Sequence, residues 1–282
     1  GRLLAGRLPR GATLGLTTPS RLREAAMRSR AGPIAHEAAN GLAEAQPTLS
    51  YRGGMDRLVR RGLAAGAAAL LACAFAAPVP VLALIGSLLG ALYLAMATIR
   101  IAAALEQAGR PGPPGASDAL LPLYTVVVPL YREAAVVPRL VCALTALDYP
   151  PAKLDIKLVV EEGDGETLAA LWACAPERME ILVAPPGEPR TKPRALNVAL
   201  PLARGEYLVI YDAEDEPEPG QVRAAAARFA RAPGSVVCLQ ARLAIENGGD
   251  GWLARLFTIE YAALFDAVNP GLCALDFPVL LG

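Results

Sequence analysis

The chain has 282 residues, of which 54% are hydrophobic, and its 27 basic and 27 acidic side chains cancel to a formal net charge of zero. This length suffices for one or two domains with a packed core. The single histidine, His36, and five scattered cysteines with no CxxC pair exclude a histidine-based triad and give little support to a zinc site or a disulfide framework.

The first part of the chain is strongly basic. Residues 1–61 carry eleven Arg, no Lys and four acids, a net charge of +7. A basic segment beside a membrane span is typical of the cytoplasmic side, where lipids are anionic. Nucleic acid is the rival partner, but no basic helix with interleaved aromatic residues supports it, and we predict none. We interpret residues 1–54 as the helical tail of an upstream domain, with Thr18 and Pro19 opening one helix and a second helix over 34–46.

An uncharged stretch follows, from Gly62 to Ile99. As one helix its thirty-eight residues would be about 57 Å long, whereas one membrane crossing needs about 20 apolar residues. Because Pro78 and Pro80 fall in its middle, we predict a turn there and a transmembrane helical hairpin over residues 55–104. Basic residues beyond both outer ends place those ends in the cytoplasm. The alternative is a buried pair of core helices. The two predicted arms are residues 58–77 and 81–101.

Residues 105–121 form a Gly/Pro-rich linker, and strand-like and helix-like segments alternate beyond it. This alternation predicts an α/β domain with a doubly wound, mostly parallel sheet, which binds ligands at the carboxyl ends of its strands. The predicted strands are residues 124–131, 156–162, 179–185, 207–211 and 235–245, and the predicted helices are residues 136–147, 165–175, 192–203, 218–232 and 251–268.

A cluster of carboxylates closes the strand at 207–211, in the sequence YLVIYDAEDEPEP. Such a cluster is either a solvated loop or the binding place of something positive. Asp212 and Glu214 lie two positions apart, and Asp215 is an alternative second ligand. Because Mg²⁺ and Mn²⁺ prefer carboxylate oxygens, these three residues are candidate metal ligands, although a lone D-x-E is a weak signal.

Two other strand ends carry polar groups. One ends in Glu161, Glu162 and Asp164, and the other is followed by Tyr131 and Glu133. Carboxylates can bind ribose hydroxyls or a base edge, and a tyrosine ring can pack on a base.

The motif TKPRALN adds Lys192, Arg194 and Asn197 at a helix N-terminus, which suits an anion. Acids for a metal and a base, together with a cationic helix start for phosphate, predict a nucleotide diphosphate pocket. No GxGxxG and no Walker A motif support a dinucleotide or ATPase site.

The motifs VPLYRE, LVVEEGD, TKPRALN and YDAEDEPEP, in this order and spacing, resemble glycosyltransferase family 2, in the branch that includes bacterial cellulose synthase and related membrane β-glycan synthases. The resemblance implies a GT-A fold over residues 122–282, a nucleotide-sugar donor that is usually a UDP-sugar, and Mg²⁺ or Mn²⁺ on a D-x-D-like motif. It also implies a multi-pass protein of the bacterial inner (plasma) membrane with a cytoplasmic catalytic domain, membrane lipid as a partner, and a growing polysaccharide or glycolipid as acceptor.

The resemblance also implies residue roles. Asp212, the catalytic candidate, and Glu214 would hold the metal, and Lys192 would lie near the phosphates. The nucleoside contacts would be Pro129, Tyr131, Glu133 and one of Glu162 or Asp164.

The family's catalytic-base aspartate and its Q-x-x-R-W motif lie downstream of residue 282. We therefore expect a fragment, truncated within the GT-A domain, that binds donor without completing transfer. In the whole enzyme, an inverting displacement would use that aspartate to take the acceptor's proton. Two alternatives stay open: an inactive glycosyltransferase-like protein that binds nucleotide, and a nucleotidyltransferase-type α/β enzyme.

Overall fold

The computed structural model describes residues 17–106 and 117–279. The described residues form two compact units. The sheet unit lies within residues 1–51 and 116–226, and the hairpin unit lies within residues 52–115 and 227–282. Residues 1–16 and most of the predicted linker lie outside the described residues, and the predicted domain boundaries stay predictions.

The described helices and strands follow the predicted order along the chain. The helices are α1 (Pro19–Ser29), α2 (Ala31–Ala45), α3 (Arg57–Ala76), α4 (Pro78–Leu105), α5 (Val137–Thr145), α6 (Gly165–Cys174), α7 (Lys192–Ala199), α8 (Gln221–Phe229), α9 (Trp252–Ala262) and α10 (Asn269–Ala274), with a π-helical segment, Ala263–Val268, between the last two. The strands are β1 (Tyr124–Leu130), β2 (Leu154–Glu161), β3 (Met179–Ala184) and β4 (Tyr207–Ile210). Between residues 124 and 232 every predicted element is confirmed within a few residues.

The four strands form one parallel sheet in the order β3-β2-β1-β4. Side chains alternate between the two faces of a strand, so Val126 and Val128 of β1 face one cluster of buried residues and Val127 faces another. Helices α5, α6 and α8 cover the first face, and helices α2 and α7 cover the second. The predicted α/β class with a doubly wound parallel sheet is confirmed. Burial on both faces explains why β1 is apolar throughout except for Thr125.

The N-terminal helices pack on the second face of this sheet. Thr18 caps α1 as predicted, since its hydroxyl accepts a hydrogen bond from the Arg21 N–H at 3.3 Å. Ala35 and Ala38 of α2 are buried, and Arg23 of α1 forms an ion pair with Glu180 of β3. The described part of this segment therefore completes the sheet unit; its origin in an upstream domain stays a prediction.

The amino ends of the strands hold a buried ionic network. Lys157 is fully buried, and its ammonium donates to Asp155 at 3.2 Å and to Glu180 at 2.8 Å. The Asp155 carboxylate also accepts hydrogen bonds from the Arg204 side chain at 2.7 and 3.0 Å and from the Thr125 hydroxyl at 3.0 Å. Burial raises the pKa of Asp155, but the Arg204 hydrogen bonds and the Lys157 charge outweigh it and hold that pKa below its usual value.

The hairpin unit contains two long apolar helices, α3 and α4, with mean hydropathies of 1.5 and 2.1. By length and composition each could cross a membrane. None of their most apolar stretches is buried within the described structure, which gives the core-helix alternative no support. The predicted turn at 78–80 is also wrong, because the break falls at Ala77 and Pro78 opens α4. A proline fits the first turn of a helix, where its missing N–H would have no helical partner.

The rest of the hairpin unit follows residue 226. The predicted helix at 251–268 is confirmed as α9 and the π-helical segment, and α10 extends it. In α10, Gly271 packs against the backbone of α4, where a Cβ would lie 1.9 Å from the Ala103 carbonyl oxygen; only glycine fits.

The predicted strand at 235–245 is wrong, since these residues form neither helix nor strand. Val237 in this segment is 87% exposed. A strand needs a neighbouring edge to pair its backbone groups, and this segment pairs with none among the described strands.

Candidate functional site

Four loops meet at one edge of the sheet. Because β1, β2, β3 and β4 are parallel, the segments that follow them all leave from the carboxyl edge. These segments carry most of the predicted site residues. The structure thus brings the strand-end motifs to one side of the sheet unit, as the sequence predicted.

A cavity of about 410 Å³ lies at the ends of β1 and β2. Three predicted nucleotide-sugar ligands line it: Tyr131, Glu162 and Asp164. The other residues of its wall are Arg132, Gly163, Gly165, Glu166 and Arg190. Sequence reasoning missed Arg132, Glu166 and Arg190, although Arg190 lies only two positions before the predicted phosphate ligand Lys192.

Tyr131 and Arg132 form the rim of the cavity after β1. The Tyr131 side chain is 45% exposed, and the Arg132 guanidinium lies over its ring, 5.1 Å from the centroid. Such a cation–ring contact favours one orientation of the pair. The aromatic surface and the positive charge therefore stand side by side at the mouth of the cavity.

Asp164 is engaged by backbone groups. Its Oδ1 accepts a hydrogen bond from the Thr167 N–H at 3.2 Å as the N-cap of α6, and its Oδ2 accepts one from the Arg132 N–H at 2.5 Å. Burial raises the pKa of Asp164, but these hydrogen bonds outweigh it and hold that pKa below its ordinary value. The carboxylate therefore stays ionised and tied to the protein backbone.

Two other predicted nucleoside ligands do not line the cavity. Pro129 lies inside β1, in register with Val159 of β2, and is only half-buried. Glu133 follows the Tyr131–Arg132 turn, and its backbone N–H donates to the Thr167 hydroxyl at 3.0 Å. The roles of both side chains stay predictions.

The carboxylate cluster after β4 has a positive partner. Lys192, at the start of α7, forms an ion pair with Asp212, and the two side chains are 46% and 48% exposed. Asp215 turns back, and its Oδ2 accepts a hydrogen bond from the Asp212 N–H at 2.7 Å. Burial raises the pKa of Asp215, and the neighbouring Asp212 and Glu214 charges raise it further against the lowering effects of that hydrogen bond and of Lys192. The cluster is thus a set of mutually repelling acids, in which Lys192 pairs with Asp212 and Arg139 pairs with Glu216.

Within residues 17–106 and 117–279, no group of three or more acidic, histidine or cysteine side chains is arranged to hold a metal ion. The donor chemistry nevertheless fits a hard cation, since Mg²⁺ is commonly held by one or two carboxylates together with substrate phosphates. Asp212 is half-exposed and Glu214 is exposed, so both can reach a ligand from solvent. Asp215 is less available because of its backbone hydrogen bond.

Two residues of the TKPRALN motif point away from an anion site. Arg194 is 2% exposed and forms a buried ion pair with Glu161, while also donating to the Pro185 carbonyl at 2.8 Å. Burial raises the pKa of Glu161 despite the opposing Arg194 charge. The Asn197 amide donates to the Ala38 carbonyl of α2 at 2.8 Å. The structure therefore does not bring Asn197 together with the cavity residues.

A parallel α/β sheet with a polar cavity at its carboxyl edge is typical of α/β proteins that bind small ligands. Residues 122–265, half of the chain, match the family described as glycosyltransferase like family 2. The chain therefore belongs to this family. No curated protein matches the chain significantly.

Solved structures give partial likenesses. The mannosyltransferase PcManGT from Pyrobaculum calidifontis, in complex with GDP-Man and Mn²⁺, is 27% identical; the match covers 57% of this chain and 46% of that chain, with a TM-score of 0.42. S. aureus TarS 1-349, in complex with UDP-GlcNAc, is 24% identical over 38% of this chain and 31% of that chain, with a TM-score of 0.32. This chain thus spans less than half the length of either structure.

Proposed function

We propose that this protein is a membrane-anchored inverting glycosyltransferase of the cellulose synthase-like branch, which moves a sugar from a UDP-sugar to a growing polysaccharide or glycolipid. One observation carries the donor part of the proposal: the cavity at the carboxyl edge combines an aromatic ring, carboxylates and a cation. Tyr131, Glu162 and Arg190 contribute these groups. A nucleotide-sugar needs all three, for its base, its hydroxyl or N–H groups and its diphosphate.

The nucleoside part of the donor fits the β1–β2 side of the cavity. The half-exposed Tyr131 ring offers a stacking surface. Of the two candidate carboxylates, Glu162 is the better ligand for ribose hydroxyls or a base N–H, because both oxygens of Asp164 already accept backbone hydrogen bonds. Glu162 is exposed and lines the cavity, so binding would not require it to give up a buried partner.

The diphosphate fits the start of α7. Arg190 and Lys192 flank Thr191, which precedes the helix and makes no side-chain capping bond there. The first N–H groups of a helix attract anions. Lys192 is already paired with a half-exposed carboxylate, so an incoming phosphate offers it a second anionic partner at small cost in desolvation.

Asp212 and Glu214 would hold Mg²⁺ or Mn²⁺ together with the donor phosphates, with Asp215 as an alternative ligand. When bound, such an ion would neutralise the charge of the leaving diphosphate. Lys192 and Arg190 would stabilise the same charge as the bond to the anomeric carbon breaks. We assign the role of the base that takes the acceptor's proton to no described residue.

The membrane part of the proposal comes from α3 and α4. Their apolar side chains are exposed, and Arg57, Arg60 and Arg61 at the outer end of α3 and Arg100 near that of α4 suit the cytoplasmic boundary of a hairpin. We place the protein in the bacterial inner membrane, with the sheet unit in the cytoplasm where nucleotide-sugars are made.

Mn²⁺-dependent UDP binding by an Asp212→Asn variant tests the site assignment. We expect at least about a tenfold loss of affinity, because the amide oxygen is a weaker ligand for a hard cation, with the fold unchanged. Glu216→Gln is the matched control, since Glu216 belongs to the same acidic cluster but forms an ion pair with Arg139. Unchanged metal-dependent binding in Asp212→Asn would remove the assignment. Donor binding by the whole protein without sugar transfer would favour the inactive nucleotide-binding alternative.

A further inference from the structure

Two side chains at the start of α6 hold the turn that follows β1. The Asp164 Oδ2 accepts the Arg132 N–H at 2.5 Å, and the Thr167 Oγ1 accepts the Glu133 N–H at 3.0 Å. Thr167 is fully buried, and its own N–H is bound by the Asp164 Oδ1. Two consecutive amides of the turn are thus bound by two side chains at the first turn of one helix.

The residue between these bonds has an unusual backbone. Arg132 has a φ of +60°, in the left-handed region that residues with a Cβ disfavour. Such a conformation persists only where the surroundings hold it. The hydrogen bonds to the Arg132 and Glu133 amides lie directly before and after the backbone torsion angles of Arg132. Asp164 and Thr167 therefore stabilise the left-handed conformation of Arg132.

The left-handed turn places two side chains on the cavity. Both Tyr131 and Arg132 line it, and the guanidinium lies over the ring. If the turn relaxed to an ordinary right-handed conformation, the peptide between these residues would rotate and the ring would leave its place.

We propose that Asp164 and Thr167 are positioning residues of the donor site: they hold the Tyr131–Arg132 turn in its left-handed form, and they act through backbone amides without binding donor. This inference rests on the proposed function, because it takes the cavity to be the nucleotide-sugar site. It reassigns Asp164 from ligand to support, and it gives a role to Thr167, for which the sequence suggested none.

The test compares Thr167→Val with Thr167→Ser in the full chain, reconstituted in lipid nanodiscs. Valine keeps the shape and removes the acceptor for the Glu133 N–H, whereas serine keeps the hydroxyl. Hydrogen exchange of the Glu133 amide and UDP-sugar affinity in the presence of Mn²⁺ are measured. We expect Thr167→Val to exchange about tenfold faster, the worth of one hydrogen bond, and to bind donor about tenfold more weakly. Thr167→Ser should stay within about twofold of wild type in both.

A second variant separates the turn from the helix cap. In Asp164→Ser the shorter side chain still caps α6 but does not reach the Arg132 N–H. The proposal expects unchanged thermal stability of the sheet unit together with weakened donor binding.

Faster exchange of the Glu133 amide in Thr167→Val would overturn the proposal if donor affinity stayed unchanged in Thr167→Val and in Asp164→Ser. Unchanged exchange of that amide in Thr167→Val would also overturn it. If wild type itself bound no nucleotide-sugar, the proposed function and this inference would both fall. If wild type bound no nucleotide-sugar but its Glu133 amide were protected from exchange, the hydrogen bonds of the turn would be correct and only the assignment of the cavity as a donor site would have failed.

Discussion

The two ends of one sheet use the same kind of ion pair in different surroundings. At the amino end, Lys157 lies fully buried between Asp155 and Glu180. At the carboxyl end, Lys192 and Asp212 pair with nearly half of each side chain exposed. Breaking a buried pair leaves an uncompensated charge, whereas an exposed pair contributes little to stability. Burial therefore makes the first pair structural, whereas exposure would allow the second to exchange its partner for the proposed ligand.

The same substitution at the two lysines tests this difference between the buried and the exposed ion pair. Lys157→Met should lower the free energy of unfolding by about 3 kcal/mol, because Asp155 and Glu180 lose a buried partner and keep Arg204 and Arg23 as charged partners. Lys192→Met should lower it by less than about 1 kcal/mol and yet weaken UDP-sugar binding at least about tenfold. Urea unfolding followed by pulse proteolysis measures the first quantity, and isothermal titration measures the second. Equal stability losses in the two variants would contradict the assignment.

Two adjacent glutamates, one buried and one exposed, give a second test of how burial separates structural from ligand-binding side chains. Glu161 is buried against Arg194, and Glu162 is exposed on the cavity. Glu161→Gln should destabilise the fold by about 2 kcal/mol, since a neutral amide replaces the charged partner of a buried guanidinium. Glu162→Gln should change stability by less than about 0.5 kcal/mol.

Donor affinity should depend on Glu162 and not on Glu161, the reverse of the order expected for stability. Glu162→Gln should weaken UDP-sugar binding about tenfold, the cost of one charge-assisted hydrogen bond. Measuring the affinity of both variants at a temperature where both are folded checks this. Stronger loss of binding in Glu161→Gln would reverse the roles.

Acid titration tests the buried network at the amino ends of the strands. Since the folded-state pKa of Asp155 lies below the unfolded value of about 3.9, its ionised form stabilises the fold above about pH 4, and that contribution disappears as the pH falls through the folded pKa. Each unit of difference is worth about 1.4 kcal/mol. The stability gap between wild type and Asp155→Asn should be full at pH 7 and shrink below about pH 4. A gap that stays constant to pH 3 would show that the ionisation of Asp155 is not the cause.

The sequence predicted the sheet well because its strands are buried on both faces. The central strand β1 is almost entirely apolar, and β2 becomes continuously apolar after Asp155 and Lys157; both strands are followed by polar turn residues. The strand predicted at 235–245 failed for the opposite reason. It also contains an apolar run, residues 236–239, but this run pairs with no edge among the described strands and stays largely exposed.

The candidate site was predicted in outline only. Polar residues after consecutive strands indicated the carboxyl edge, but side-chain partners decide roles and do not appear in a motif. Arg194 and Lys192 lie two positions apart in one cationic motif, and only the structure shows Arg194 buried against Glu161. For Asp164 the sequence did contain a signal of its structural role. An Asp three residues before Thr167, at the start of a predicted helix, is a typical N-cap pattern.

Photolabelling with a UDP-sugar that carries an azido group on its uracil tests the central claim most directly. We expect adducts on peptides that contain Tyr131–Arg132 or residues 162–166, dependent on Mn²⁺ and suppressed by excess unlabelled UDP-sugar. Labelling spread over other surfaces of the sheet unit, or labelling that unlabelled donor does not suppress, would contradict it.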